Sequence, residues 1–182
     1  MDLRDIKEFL RDCWSYILTF AVIIFIFTFV VAFHPVAGNS MTPTLEEGNI
    51  TIVSKFSHKL FSIKRNQIVI VKKESKTFIK RVVGLPGENI SYLNNILYVD
   101  GQAYKESFLG EDVTTNNFLF EDICDENACP DKKIPEGYYL VLGDNRNNSE
   151  DSRDPDFGLV KKSEIQGVVI FNIWPVNSIK KL

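Results

Sequence analysis

Residues Trp14 to Phe33 read WSYILTFAVIIFIFTFVVAF, twenty residues without a charge. As a helix rising about 1.5 Å per residue, this run spans about 30 Å, the thickness of a bilayer's hydrocarbon core. A core helix of that length would carry a polar stripe, and this one is apolar all round. The apolar region of a cleaved signal sequence is shorter, about 7–15 residues, and no convincing small-x-small cleavage site follows. The run is therefore expected to be a retained transmembrane helix, with Trp14 and Tyr16 near one interface. Arg4, Lys7 and Arg11 precede it, whereas the first basic residue after it is Lys55. Basic flanks stay in the cytoplasm, and the interspersed Asp2, Asp5, Glu8 and Asp12 count little in that rule. The expected organisation is a cytoplasmic segment 1–13, a single span 14–33 in the plasma membrane, and an extracytoplasmic domain 34–182.

With 182 residues, 21 basic, 24 acidic and a net charge of -3, the chain has room for one domain and an anchor. It has no basic stripe, no Cys/His metal pattern and no Gly-rich phosphate loop, so nucleic acid, metal and cofactor are not expected. Cys13 falls at the cytoplasmic edge. Cys124 and Cys129 fall outside, where a small-loop disulfide is permitted and two free thiols are equally consistent with the spacing.

Beyond the span the chain reads as strands and turns. Residues 50–54, 67–72 and 77–83 are β-type runs, the last closed by Leu85-Pro86-Gly87-Glu88. Residues 90–93 and 96–99 flank Asn94-Asn95 as a hairpin, followed by an Asp100-Gly101 turn. Further strands are expected at 138–142 and 168–174. The stretch 107–135 is polar and irregular and reads as an inserted lobe. The fold class is mainly β with one N-terminal transmembrane helix.

Two residues invite a chemical reading. Ser40 stands in GNSMTPTL and Lys80 in FIKRVVGLPGE. A hydroxyl becomes a useful nucleophile when a base takes its proton, and a neutral lysine can be that base. A free lysine, with a pKa near 10.4, is neutral in roughly one molecule in 2,500 at pH 7, so it must be desolvated to serve. If 77–83 is a strand, Phe78, Lys80 and Val82 share a face and supply that apolar setting. A strand lysine can equally be an edge charge that discourages aggregation, and Ser40 can be a turn hydroxyl. His34 abuts the span, and His58 lies in a Lys/Ser/Phe-rich loop. Both read as interface or surface histidines, so no Ser-His pair competes.

SMTPTL at Ser40–Leu45, KRVVGLPGE at Lys80–Glu88 and GDNRNNSEDSR at Gly143–Arg153 together resemble the signature boxes of the bacterial type I signal peptidases, in order, spacing and position after an anchor. The resemblance covers nearly the whole chain. It implies a β-rich signal-peptidase/LexA-like catalytic domain and a Ser-Lys endopeptidase that removes signal peptides from exported preproteins after small residues of the Ala-x-Ala type. It implies Ser40 as nucleophile, Lys80 as base, Ser149 orienting the lysine, and Asp151 with Arg153 bracing the site. Asp144, Asn145 and Arg146 read as a structural turn. Shallow pockets would involve Val36, Met41, Leu45, Phe78, Ile79 and Leu142, each of which could equally be plain core. The partners implied are signal peptides, membrane lipid and the nearby export machinery.

Gly38, as in many members, stands where some relatives carry a Ser or Thr oxyanion donor, and this chain departs from the family pattern at two places. Asn66-Gln67 replaces a frequent Gly-Asp. Asp154-Pro155-Asp156 lengthens the third box by two residues, which puts the Asp151–Arg153 brace in question. The loop KFSHKLFSIKR places Phe56, Leu60, Phe61 and Ile63 among basic residues, either as a lipid-dipping cluster or as a buried corner. The alternatives to a general signal peptidase are a specialised pilin-like peptidase and a non-catalytic surface-assembly factor of the same fold.

Overall fold

The computed structural model describes residues 3–182 other than Glu111 and Glu126. Helix α1 spans Leu3–Phe25 and runs on as a π-helical turn, Ile26–Val30. Within it, Arg11–Val30 is long and apolar enough to cross a membrane, with a mean hydropathy of 2.3 and no part of it buried. The apolar run expected as helix over 14–33 is divided: its last three residues open strand β1, Val31–Pro35. β1 pairs antiparallel with β2, Ile50–Ser54, from Val31 opposite Ser54 to Pro35 opposite Ile50. Val and Phe suit a pleated sheet as well as a lipid-facing helix, so hydropathy alone does not separate the two. Pro35 is tolerated because β1 is an edge strand. The helix end is tied to the sheet by Lys55, whose N–H donates to the Val30 carbonyl at 2.9 Å and whose Nζ donates to the Thr28 carbonyl at 2.8 Å. These bonds satisfy carbonyls that a helix C-terminus leaves open.

The main sheet adds β3 (Ile68–Lys73), β4 (Lys76–Gly84), β8 (Tyr138–Leu142), β9 (Val160–Lys161), β10 (Ile165–Trp174) and β11 (Lys180–Lys181). Its order is β1-β2-β10-β3-β4-β8-β9, with β11 on β10. A second sheet is the meander β5 (Ile90–Leu93), β6 (Ile96–Val99) and β7 (Gln102–Tyr104). Its turns use positive φ at Asn94 (51°), Asn95 (63°), Asp100 (49°) and Gly101 (79°). Two such residues in a row match the right-handed twist of a hairpin, and Asn, Asp and Gly adopt that conformation most readily. The stretch 107–135 is irregular but anchored. Phe118 bridges to Tyr92, Cys124 and Cys129 form a disulfide, and Phe118, Phe120, Cys129 and Ile134 are buried.

Three apolar clusters fill the domain. One lies on the β4 face carrying Phe78 and Val82, with Val69, Val71, Val141 and Phe157. The opposite face of β3 and β4 packs Ile68, Ile70 and Ile79 against Val36, Met41 and Leu45. The third joins Val83, Leu140 and Leu142 to the meander and the lobe. His58, expected at the surface, is instead buried on the short helix α2, Ser57–Leu60. Desolvation, then the charges of Lys59 and Lys162, lower its pKa and favour the neutral ring. Of the loop's four apolar residues, Phe56, Leu60 and Phe61 are exposed, whereas Ile63 turns into the first cluster.

Arg146 joins the lobe to the loop that follows β8. Its guanidinium is fully buried and donates to Glu106 Oε1 at 2.5 Å, Tyr92 Oη at 2.7 Å and Thr115 Oγ1 at 3.1 Å. Removing one member of a buried ion pair strands the other charge. Arg146→Met is therefore expected to lower the unfolding free energy by about 3–5 kcal/mol, with Arg146→Met/Glu106→Leu recovering most of it. Chemical denaturation of the full chain in detergent measures both.

Candidate active site

The Ser40 motif is a turn held from beneath. Met41 and Leu45 are buried, and the Leu45 N–H donates to the Met41 carbonyl at 2.9 Å. Ser40 itself stays half-exposed. Lys80 sits mid-strand in β4, opposite Val69 in the register with β3. Alternation puts it between Phe78 and Val82 on one face, as the sequence pattern suggests. It is 1% exposed, and its Nζ lies 5.9 Å from the Phe78 ring centre. Its side-chain hydrogen bond goes to Ser149 Oγ at 3.0 Å.

Burial lowers the Lys80 pKa from its ordinary value to about 8, against the upward pull of the Asp151 and Glu150 carboxylates. Desolvation disfavours the ammonium and leaves the neutral amine comparatively unharmed. At pH 7 the neutral fraction becomes roughly one in ten, against roughly one in three thousand for an unperturbed side chain.

The third motif touches both residues, the Lys80 amine through Ser149 and the Ser40 backbone through Asn145. Gly143 follows β8, and a Cβ at this position would overlap both the Ser40 carbonyl oxygen and the Ser149 hydroxyl. Only glycine permits that double approach. The next residues fasten it. The Asn145 N–H donates to the Ser40 carbonyl at 3.0 Å, and Asn145 Nδ2 donates to the Asn39 carbonyl at 3.0 Å. Asp144 accepts a two-pronged bond from Arg81, Nε to Oδ1 at 2.8 Å and Nη2 to Oδ2 at 2.6 Å. Arg81 follows Lys80 and points to the opposite face, so adjacent residues of one strand hold opposite sides of the same loop. Sequence pattern alone gives no task to Arg81 or Gly143, and Asn145 reads there as turn structure. The adjacency of Lys80 and Arg81 was the available signal.

Asp151 is buried and accepts from the Gly143 N–H at 3.0 Å and from Arg153 Nε and Nη2, each at 2.8 Å. Burial alone would raise its pKa. The Arg153 bonds and charge, the Gly143 N–H and the Ser149 hydroxyl outweigh burial and hold it below the ordinary carboxylate value. The two extra residues after Arg153 are absorbed in a tight turn. The Phe157 and Gly158 N–H groups donate to the Asp154 carbonyl at 3.0 and 2.8 Å, and Phe157 is buried edge-on to Phe78. The Asp151–Arg153 pair is intact beside this longer loop. Asn66, where the family often has Gly, takes φ 70°, a conformation Asn tolerates better than most residues.

The six residues named as pocket candidates fall in three apolar clusters. Val36, Met41, Leu45 and Ile79 pack together and are buried. Phe78 is half-buried on the other face of β4, and Leu142 belongs to the cluster with the meander. Among the described residues no group of His, Cys, Asp and Glu could hold a metal.

Comparison with known proteins gives this arrangement a family. Residues 8–174 match the model of the signal peptidase family, peptidase S26. Signal peptidase I of Bacillus caldolyticus is 38% identical over 170 residues, covering 89% of this chain and 90% of the relative. Signal peptidase IB of Staphylococcus aureus (strain Mu50) is 34% identical over 183 residues, covering 96% and 94%. The crystal structure of a signal peptidase I from Enterococcus faecalis V583 superposes with a TM-score of 0.50 at 31% identity, covering 59% of this chain and 97% of that one. The chain belongs to the signal peptidase family, peptidase S26, and is a serine-type hydrolase.

Two expectations test the site. Gly143→Ala is expected to cut turnover by about a hundredfold, since displacing a reacting group by about 1 Å costs that much, while circular dichroism stays that of the folded domain. Lys80→Met is expected to stabilise the domain at pH 7 by about 2–3 kcal/mol, the differential cost of keeping the ammonium buried. Chemical unfolding measures this. Unchanged or lower stability would contradict it.

Proposed function

We propose that this chain is a membrane-anchored endopeptidase that cleaves signal peptides from exported preproteins after small residues of the Ala-x-Ala type, using Ser40 and Lys80. The observation that carries the reading is a lysine with 1% exposure and a pKa near 8, on a loop-and-strand scaffold that also grips the backbone of the serine. Neutral Lys80 takes the Ser40 proton as Oγ attacks the scissile carbonyl. The resulting oxyanion needs a donor placed where the charge develops. The Ser40 N–H, without a hydrogen bond among the described residues, is that donor. The Lys80 ammonium then gives its proton to the leaving amine, forming the acyl-enzyme. The neutral amine activates water to release Ser40. Ser149 keeps Nζ oriented, and Asp151 with Arg153 keeps Ser149's loop in place.

Several features support a domain resting on the outer surface of the membrane. Phe33, Ile52 and Phe171 are in register across β1, β2 and β10, and Pro35, Ile50 and Trp174 form the next row on the same face. Phe33, Phe171 and Trp174 are exposed, as are Phe56, Leu60 and Phe61 on the loop tied to the helix end. Contiguous exposed apolar surface beside a spanning helix suits lipid contact. The Cys124–Cys129 disulfide suits an oxidising, extracytoplasmic compartment. There the site meets preproteins as they emerge from the export machinery.

The test is cleavage of an Ala-x-Ala preprotein by detergent-purified protein from pH 6 to 10. The active form has neutral Lys80, so kcat/KM is expected to rise with pH and level off above about 8. Ser40→Ala and Lys80→Ala are each expected to lower kcat by about 10⁴-fold or more. A pH-independent rate, or a folded Lys80→Ala variant that still turns over, would sink the reading.

A further inference from the structure

The direction in which the product leaves follows from the chemistry, and the inference rests on the Ser40–Lys80 reading above. The amide nitrogen takes its proton from Lys80 Nζ, so the chain on the amine side of the cut begins beside that atom. Nζ is 3.0 Å from Ser149 Oγ. Ser149 in turn lines a surface groove of about 480 Å³, with Arg153 and Pro155 from its own loop and Asn116, Asn117 and Phe118 from the lobe. The lobe and the meander are not paired to β1 or β2, the strands that join the membrane helix. The groove is thus built on elements other than the strands that join the anchor, whereas the apolar half of a signal peptide stays with the lipid.

The groove also has the means to hold a backbone. Phe118 and Tyr92 exchange both N–H···O bonds, at 2.8 and 3.0 Å. In an antiparallel pair the flanking residue turns its own N–H and C=O to the opposite side. Asn117 is that residue, and neither group makes a hydrogen bond among the described residues. Arg153 commits Nε to Asp151 and Nη2 to Asp151 and the Arg146 carbonyl, leaving Nη1 without a partner among the described residues. An extended peptide can add to such an open strand edge through its main chain, with little demand on its side chains.

We propose that this groove binds the first residues of the mature chain, immediately after the cleavage site, as a short extended segment paired to the Asn116–Phe118 edge. Three residues would occupy about 10 Å. The lobe then belongs to the substrate-binding machinery, and binding depends on chain length more than on mature sequence.

The experiment compares two peptide substrates with one Ala-x-Ala signal half, ending one or five residues after the cut, on the full-length enzyme in detergent. The wild-type ratio of kcat/KM, long over short, is expected to be about ten. Asn116→Trp and Pro155→Trp, which obstruct the groove from its two walls, are expected to bring the ratio close to one. Cleavage of the short peptide reports that each variant is folded. A wild-type ratio near one overturns the proposal, as does a full ratio in both variants. Failure of the wild type to cut either peptide overturns the Ser40–Lys80 reading itself.

Discussion

The burial of one amine organises this molecule. Lys80 stands mid-strand with 1% exposure, between Phe78 and Val82 and opposite Val69. Holding an ammonium there costs about 3 kcal/mol relative to water, since its pKa falls from 10.5 to about 8. The penalty is set against the burial of the surrounding apolar cluster, which includes Val69, Val71, Val82 and Val141. Linkage gives its sign. The folded pKa is depressed, so the folded state binds fewer protons between about pH 8 and 10.5, and stability contributed by this group rises with pH across that window. The buried amine is thus kept at the expense of stability near neutrality.

The polar side of the site answers a second requirement, that charges buried beside the lysine be paired. Arg81–Asp144, Arg146–Glu106 and Arg153–Asp151 are all largely shielded from water. Buried pairs contribute little net stability once desolvation is counted, but their geometry is exacting. Arg153–Asp151 lies wholly in the loop after β8, and the other two reach out of it, to Arg81 on β4 and to Glu106 just after β7. That loop holds Ser149 against Lys80 and Asn145 against Ser40. Gly143, lacking a Cβ, lets the Ser149 hydroxyl and the Ser40 carbonyl crowd the same point.

Local pattern made much of the fold legible. The Asn94-Asn95 hairpin, the β2 strand and the alternation that faces Lys80 inward all follow from residue types at fixed spacing. The end of the span did not, because Val31-Ala32-Phe33 satisfies a bilayer and a sheet equally and only pairing with β2 decides. His58 read as a surface histidine because its neighbours in sequence are Lys, Ser and Phe. Its burial comes from β10, more than a hundred residues away. The longer loop after Arg153 looked disruptive from its length. Its closure on the Asp154 carbonyl and the anchoring of Phe157 depend on contacts that length does not reveal.

The sequence by itself determined that this chain carries an apolar span, a mainly β domain and three motifs of one family, because periodicity, turn chemistry and motif order are properties of near neighbours. Only the tertiary structure decided that Ser40 and Lys80 are drawn to one loop, that the lysine loses its water, and that the pocket candidates part into three clusters. Those outcomes depend on residues 40, 80 and 143–153 meeting in space. Desolvation and close approach are set by everything packed around a group, and no stretch of sequence contains that information alone.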